Sequence, residues 1–274
     1  MSRPSPTVSV MMEAARAAGR RLIRDFGEVE NLQVSRKGPA DFVSAADQKA
    51  EEIIRKSLEK TRPGYGFLLE EGGEVKGTDK THRFIVDPLD GTLNFLHGIP
   101  HFGISIALER DGKLRAGVVF DPMRNEMFWA EEGEGCWLEN RRLRVASRRK
   151  LNEAVVTTGI PQLGVDGFEK FTGELAAVRN EVAAVRRFGS AALDLAWVAA
   201  GRFDGFWERG LSLWDIAGGF VLVQEAGGTI LGLNKKEPRL GDFVAANPSL
   251  APKLAERIEG KITKKTTHRL LRPE

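Results

Sequence analysis

Between Arg83 and Phe95 the chain reads RFIVDPLDGTLNF, and no other segment restricts the fold as much. Phe84, Ile85 and Val86 form an unbroken apolar run, which reads as a buried strand. Asp87 stands where that strand ends, Pro88 fixes a turn, and Asp90 follows three residues after Asp87. Gly91 lets the backbone approach a ligand before Thr92 and Asn94 open a short helical turn. Two carboxylates therefore share one strand-end loop. Ionised side by side they repel, so a fixed pair of this kind shares a proton or a cation, unless both aspartates merely satisfy the turn amides of the Asp-Pro and Asp-Gly steps.

A buried strand needs cover, and the first third of the chain supplies it. Val10, Ala14, Ala17, Ala18, Leu22 and Phe26 recur at helical spacing and predict an amphipathic helix that Gly27 ends with a left-handed residue. Ala45 to Thr61 predicts a second helix, with Ile53, Ile54 and Leu58 on one side and Pro63 and Gly64 behind it. From Phe67 onward short apolar runs alternate with turn chemistry: Phe67–Leu69, Phe84–Val86, Gly103–Leu108, Gly117–Phe120 and Glu126–Ala130 read as strands, with a hairpin at Arg110–Lys113. Val155–Thr158 and Phe203–Trp207 predict two further strands. Phe168–Arg179, Ser190–Ala200 and Leu213–Ala226 predict helices. No repeat or linker interrupts the chain, so residues 1–274 are expected to form one unit with subdomains near 1–150 and 151–274, followed by a basic tail at 261–274.

Charge and composition narrow the function. Among 274 residues, 41 basic side chains nearly balance 38 acidic ones and leave a net charge of +3, too small an excess to argue direct nucleic-acid binding. The basic runs at Arg141–Arg149 and Lys261–Arg272 read as solvated faces or tails. No stretch approaches the roughly 20 apolar residues that span a bilayer, and charges interrupt Met1–Phe26, so neither a membrane span nor a signal peptide is expected. The single cysteine, Cys136, cannot pair internally, which agrees with a soluble protein of a reducing cytoplasm.

Further acids fall where chemistry can use them. Glu70 and Glu71 lie just beyond the strand Phe67–Leu69, which points to the mouth of a sheet. Asp215 begins the apolar helix in LSLWDIAGGFVLVQEAGG, where it either joins a site or caps the helix. The segment KGPADFVSAAD adds Asp41 and Asp47, the latter also suited to the first turn of the second helix.

Taken together, Lys37, Asp41, Ser44 and Asp47, then Glu70 and Glu71, then Asp87–Thr92, and finally Trp214–Gly219 closely resemble the motifs of the inositol monophosphatase family. The match runs from about residue 8 to about residue 258. It implies a layered α/β/α/β/α sandwich, of the type shared with fructose-1,6-bisphosphatase, and a homodimer. Carried over by position, the resemblance implies that Glu70, Asp87 and the backbone carbonyl of Leu89 hold one Mg²⁺, and that Asp87, Asp90 and Asp215 hold a second, within a set of two or three ions. It further implies that Asp47 and Thr92, with Glu70, act on the attacking water. By the same resemblance Gly91 and Thr92 hold phosphate oxygens, and Gly189, Ser190, Ala191, Glu208 and Asp215 contact the substrate. One departure concerns the acidic rim, where this chain has Leu69 and Gly72 in place of the Gly and Ser that many relatives carry.

The chemistry implied is hydrolysis of a small phosphate monoester by metal-activated water, with inhibition by Li⁺. Oxygen-only ligands suit Mg²⁺ better than Zn²⁺, since no histidine or cysteine falls inside the matched motifs. The substrate expected first is myo-inositol monophosphate. Histidinol phosphate, fructose 1,6-bisphosphate and a nucleotide 3'-phosphate remain alternatives, because the shared motifs concern metal and phosphate rather than the alcohol. A phosphatase of the haloacid-dehalogenase type fits less well, for there the two aspartates stand two apart and here they stand three apart. A binding role toward transcription or RNA-processing machinery is the alternative of another class. His97 and His101, although close in sequence to the loop, are not assigned to the site. Glu208 has a rival reading as a surface partner of Arg209.

Overall fold

A computed structural model describes residues 3–28, 34–38, 41–161 and 166–260. The side chains of residues 29–44, Lys37, Asp41 and Ser44 among them, and the basic tail Lys261–Arg272 lie outside the described residues.

The chain opens with helix α1 (Pro6–Phe26), a hairpin of β1 (Val34–Gly38) and β2 (Asp41–Ser44), and helix α2 (Ala45–Thr61). Strands β3 (Gly66–Leu69), β4 (Gly73–Val75) and β5 (His82–Asp90) follow, then the short helix α3 (Thr92–Leu96). A meander of β6 (Gly103–Arg110), β7 (Lys113–Asp121), β8 (Glu126–Glu131), β9 (Gly135–Leu138) and β10 (Arg141–Arg142) completes an eight-stranded sheet in the order β10-β9-β8-β7-β6-β5-β3-β4. The remaining chain runs through β11 (Val155–Thr158), α4 (Phe168–Arg179), β12 (Ala184–Arg186), α5 (Ala191–Ala199), β13 (Gly205–Glu208), α6 (Leu213–Glu225), β14 (Thr229–Gly232), β15 (Phe243–Ala246) and α7 (Ala251–Ile258). Its five strands form a second sheet ordered β12-β11-β13-β15-β14.

Five layers result, as the resemblance implied. Helices α1 and α2 pack on each other and on the large sheet, burying Met11, Leu22, Ile54 and Leu58 with Phe67, Phe84 and Ile106. On the opposite face α5 and α6 lie between the two sheets, where Leu195, Phe220 and Leu222 meet Phe128, Phe206 and Phe243. Helices α4 and α7 close the outer face of the small sheet, Val178 and Leu254 packing with Val156, Trp207 and Val244. Sheets covered on both faces have little use for alternating polarity, which is why β5 reads as a continuous apolar run. Helix α6 approaches the large sheet closely enough that a Cβ at Gly117 on β7 would overlap the carbonyl of Gly218.

The structure revises several local expectations. Gly27 is right-handed, with φ −70 and ψ −13, and its N–H donates to Ile23 O, so α1 runs out in a further turn rather than a left-handed stop. The strand expected at Phe203–Trp207 is displaced to Gly205–Glu208, because Asp204 is occupied in accepting the Val155 amide at 2.8 Å and the Arg148 guanidinium at 3.1 Å. At Arg110–Lys113 the two-residue turn forms as expected, with Asp111 and Gly112 both at positive φ. Strands β4, β9, β10, β12, β14 and β15 and helix α7 escaped the sequence reading. Most are only two to four residues long, too short to establish a period.

Candidate active site

Parallel pairing of β3 with β5 sets Leu69 against Val86, so the next residues, Glu70 and Asp87, leave the sheet side by side. The Glu70 amide still donates to Val86 O at 3.2 Å. Antiparallel pairing of β5 with β6 carries on through Asp87 opposite Ser105, breaks register, and resumes at Asp90 opposite Gly103. The break is the Pro88–Leu89 bulge, and it aims Asp87 and Asp90 into one space. Asp87 Oδ1 accepts the Leu89 amide at 2.9 Å, so the aspartate does serve its turn, as the simpler reading held, and faces the acidic cluster as well.

Gly91 follows with φ 97 and ψ 34. A Cβ there would stand 3.2 Å from both Gly189 O and His101 O, so this loop admits glycine for two reasons, handedness and space. Thr92 then starts α3. Its Oγ1 lies 3.1 Å from Asp47 Oδ1 and 3.0 Å from Leu89 O, and its single proton serves one of them at a time. Asp47, buried in the first turn of α2, is thereby brought to the loop from 45 residues away.

The other wall comes from the layer between the sheets. Ser190 caps α5, and its Oγ donates to Asp90 Oδ2 at 2.5 Å while the Ala192 amide donates to the same oxygen at 2.7 Å. Gly189, Ser190 and Ala191, expected as substrate contacts, do line the cavity, but the hydroxyl of Ser190 is engaged by Asp90. Asp215 lies at the start of α6 and accepts the Ser212 amide at 2.7 Å. Asp215 thus completes the capping box of α6 and also lines the cavity beside Asp87 and Asp90.

Asp87, Asp90, Gly91, Thr92 and Gly189–Ala191 line a cavity of about 410 Å³ with Glu70, Leu89, Glu208 and Asp215, whereas Asp47 reaches it only through Thr92. A second cavity of about 660 Å³ opens beside it past Glu208 and Asp215, toward α4. Burial, then Glu70, Asp90 and Asp215, hold the Asp87 carboxyl well above the usual carboxylate range. Asp90 is pushed up to about 6 by burial, against the bonds from Ser190, Ala192 and Ala191 that favour its charge. Asp215 is raised well above its ordinary value by burial, with Asp90, Glu70 and Glu208 adding to the effect. Acids that oppose one another's ionisation in this way, all of them oxygen donors, fit a hard divalent cation such as Mg²⁺. Among the described residues no three acidic, histidine or cysteine side chains converge as a finished cage for one ion; bonds from Leu89, Ser190, Ala192 and Ser212 hold three of the carboxylates.

Glu208 is not the surface partner of Arg209. That guanidinium bonds Glu174 at 2.8 Å and approaches Asp242 at 3.5 Å, while Glu208 turns inward against Gly159. Its carboxyl is pushed up to about 8 by burial and by Asp194 and Asp90, with Arg187 opposing. On the rim, Glu51 of α2 accepts the Glu71 amide at 2.8 Å. A Cβ at Gly72 would lie 3.0 Å from Glu51 Oε1, so the departure at Gly72 leaves room for this tie.

Two charged residues that the sequence reading missed also line the cavity. Arg187 is the one base among the described residues that do so. Asp194 is 2% exposed, and burial foremost raises its carboxyl well above the usual range. The signal for Asp194 was present: it is the only charged residue of the apolar helix AALDLAWVA, and a buried charge in such a helix is rarely idle. His101 is buried between Phe188 and Trp197 with its pKa lowered to about 4, by burial and then by Arg124; its imidazole does not line the cavity. His97 is likewise absent from the cavity lining. No helix of the described residues is long and apolar enough to cross a membrane.

Comparison with known proteins identifies the family and the fold. The family model described as "Inositol monophosphatase family" matches residues 3–266. An inositol-1-monophosphatase of Rhizobium meliloti (strain 1021) is 56% identical over 263 residues, which covers 95% of this chain and 99% of that protein. The Nus factor SuhB of Escherichia coli (strain K12) is 41% identical, covering 89% and 92% of the two chains. The crystal structure of extragenic suppressor protein suhB from Bartonella henselae superposes with a TM-score of 0.91 at 52% identity, over 94% of this chain and all of the other.

Proposed function

The chain belongs to the inositol monophosphatase family and is a phosphoric monoester hydrolase, and we propose that its own reaction is the Mg²⁺-dependent hydrolysis of a myo-inositol monophosphate to inositol and inorganic phosphate. The observation that carries this reading is the convergence of Glu70, Asp87, Asp90 and Asp215 on one cavity that also holds the Gly91–Thr92 turn. Bound Mg²⁺ supplies positive charge for the phosphoryl oxygens and makes water a stronger acid.

The roles of the side chains follow. Glu70, Asp87 and Leu89 O would hold one ion, and Asp87, Asp90 and Asp215 would hold another. Leu89 O lies 3.0 Å from Thr92 Oγ1, and with two lone pairs the carbonyl stays free to hold an ion whichever way that hydroxyl turns. With the Thr92 proton directed to Asp47, the hydroxyl oxygen can accept a hydrogen bond from the attacking water and orient it, and Glu70 faces the same water. The amides of Gly91 and Thr92 hold phosphate oxygens at the start of α3. Across the cavity Glu208, with Gly189–Ala191, addresses the hydroxyls of the departing alcohol. The enzyme acts on this reading as a cytoplasmic homodimer, with residues 1–274 as one unit. The relatives named Nus factor SuhB support one addition, a contact with transcription machinery alongside catalysis.

Phosphate release from myo-inositol 1-phosphate tests the proposal. Activity is expected to vanish under a chelator, to return with Mg²⁺, and to fall with Li⁺. Asp87→Asn should remove nearly all turnover, because it deprives both ions of a ligand. Asp215→Asn should raise the Mg²⁺ requirement and leave a residual rate. Full activity in excess chelator, or equal and mild losses from both substitutions, would refute the ligand roles.

A further inference from the structure

The residues assigned to the phosphate and those assigned to the alcohol come from different layers of the fold, and side-chain bonds must hold one to the other. One clasp is Asp90, which receives Ser190 Oγ and the Ala192 amide. It depends on a carboxylate that the reaction also needs. The other clasp is Asn94, in the first turn of α3 directly after the phosphate loop and 6% exposed. Its Nδ2 donates to His101 O at 2.8 Å and to Phe188 O at 2.8 Å, with Gly189 O at 3.5 Å. Carbonyls on every side leave only the nitrogen end of the amide able to point there.

The same carbonyls are the surface on which the loop rests, since His101 O and Gly189 O are the two atoms nearest a Cβ at Gly91. Asn94 is absent from the cavity lining, so it reaches a substrate only through the segments that it joins. Two carbonyls, His101 O buried and Phe188 O partly so, lose this donor when the amide is removed, and water entering between the segments would be the readiest replacement.

We propose that Asn94 is a positioning residue: its amide fixes the distance between the Asp87–Thr92 loop and the Phe188–Ala191 segment, and thereby sets how strongly the enzyme prefers a polyol phosphate to a minimal ester. This rests on the assignment of Gly189–Ala191 and Glu208 to the alcohol. Parting of the two segments leaves Asp87, Leu89 and Thr92 in their own loop, but moves the hydroxyl-binding wall away from the phosphate. A minimal ester does not use that wall.

The test is the ratio of kcat/KM on myo-inositol 1-phosphate to kcat/KM on 4-nitrophenyl phosphate, at saturating Mg²⁺, for the wild type, Asn94→Ala and Asn94→Asp. The ratio does not depend on the fraction of enzyme folded, so a purely structural loss cannot move it. We expect a fall of about ten-fold or more in Asn94→Ala, since a misplacement of about 1 Å can cost about 100-fold. Asn94→Asp, which turns an acceptor toward the same carbonyls, should fall further. Asn94→Ser, a smaller cavity, carries the same comparison where Asn94→Ala yields no folded protein. A wild-type preference that survives in the folded variants would overturn the role of Asn94 alone. A wild type with no preference for the polyol ester would overturn both this proposal and the assignment of the alcohol wall.

Discussion

Substituting Gly91 by alanine isolates what the phosphate loop demands of its backbone. At φ 97 and ψ 34 an L-residue pays the left-handed penalty, about 1 to 2 kcal/mol. Its new methyl group also stands 3.2 Å from two carbonyl oxygens, Gly189 O and His101 O, and 3.4 Å from Phe102 Cα. Those atoms are backbone and cannot rotate aside, so the loop must retreat by a few tenths of an ångström. Gly98 provides the control: seven residues on, it also has positive φ, 68, but a Cβ there meets nothing within 4 Å. Gly98→Ala should cost about 1 kcal/mol and leave turnover intact. Gly91→Ala should cost roughly 2 to 4 kcal/mol, or a Tm lower by about 3 to 7 °C for a chain of this size. Its kcat should fall about ten-fold or more, because the loop that retreats carries Asp87, Asp90 and Thr92. Thermal unfolding monitored by circular dichroism and phosphate release measure the two effects. Equal Tm losses in the two variants, with Gly91→Ala fully active, would refute the claim that these carbonyls limit the loop.

Glu208→Ala should lower kcat/KM on the preferred polyol phosphate by about 10 to 150-fold, the equivalent of one charge-assisted hydrogen bond of about 1.5 to 3 kcal/mol, and should affect glycerol 2-phosphate much less. Steady-state kinetics on both esters would decide it, and equal losses would remove Glu208 from alcohol selection. His101 is neutral in the fold with its pKa lowered to about 4, against an unfolded value near 6.5. The unfolded chain thus binds the extra proton first, so the associated stability is complete above pH about 6.5 and declines toward pH about 4, by about 3 kcal/mol in all. Between pH 7 and 4.5 the Tm of His101→Phe should fall less steeply than that of the wild type; parallel slopes would show that His101 does not contribute.

Local order dictated much of what the sequence revealed. The helix at Ala45–Thr61 and the hairpin at Arg110–Lys113 follow from patterns within a few residues of each other, where 3.6-residue spacing or an Asp-Gly turn sets the backbone directly. The pair Asp87 and Asp90 was legible for the same reason, although β5 does not end at Asp87 as expected but continues through the bulge to Asp90. Short strands such as Phe243–Ala246 were not legible, because four apolar residues carry no period and gain their conformation only by pairing with Gly205–Glu208 and Thr229–Gly232. Tertiary structure alone decided that Glu208 faces inward, that Arg209 is taken by Glu174 and Asp242, and that Asp194 joins the cavity. It also decided that Asn94 reaches Phe188, 94 residues away. A side chain's chemistry is written in its residue type, but its partner is fixed by which layers the packed core brings together. That information resides in the long-range contacts between the two sheets and is spread over the whole chain, so no window of sequence contains it.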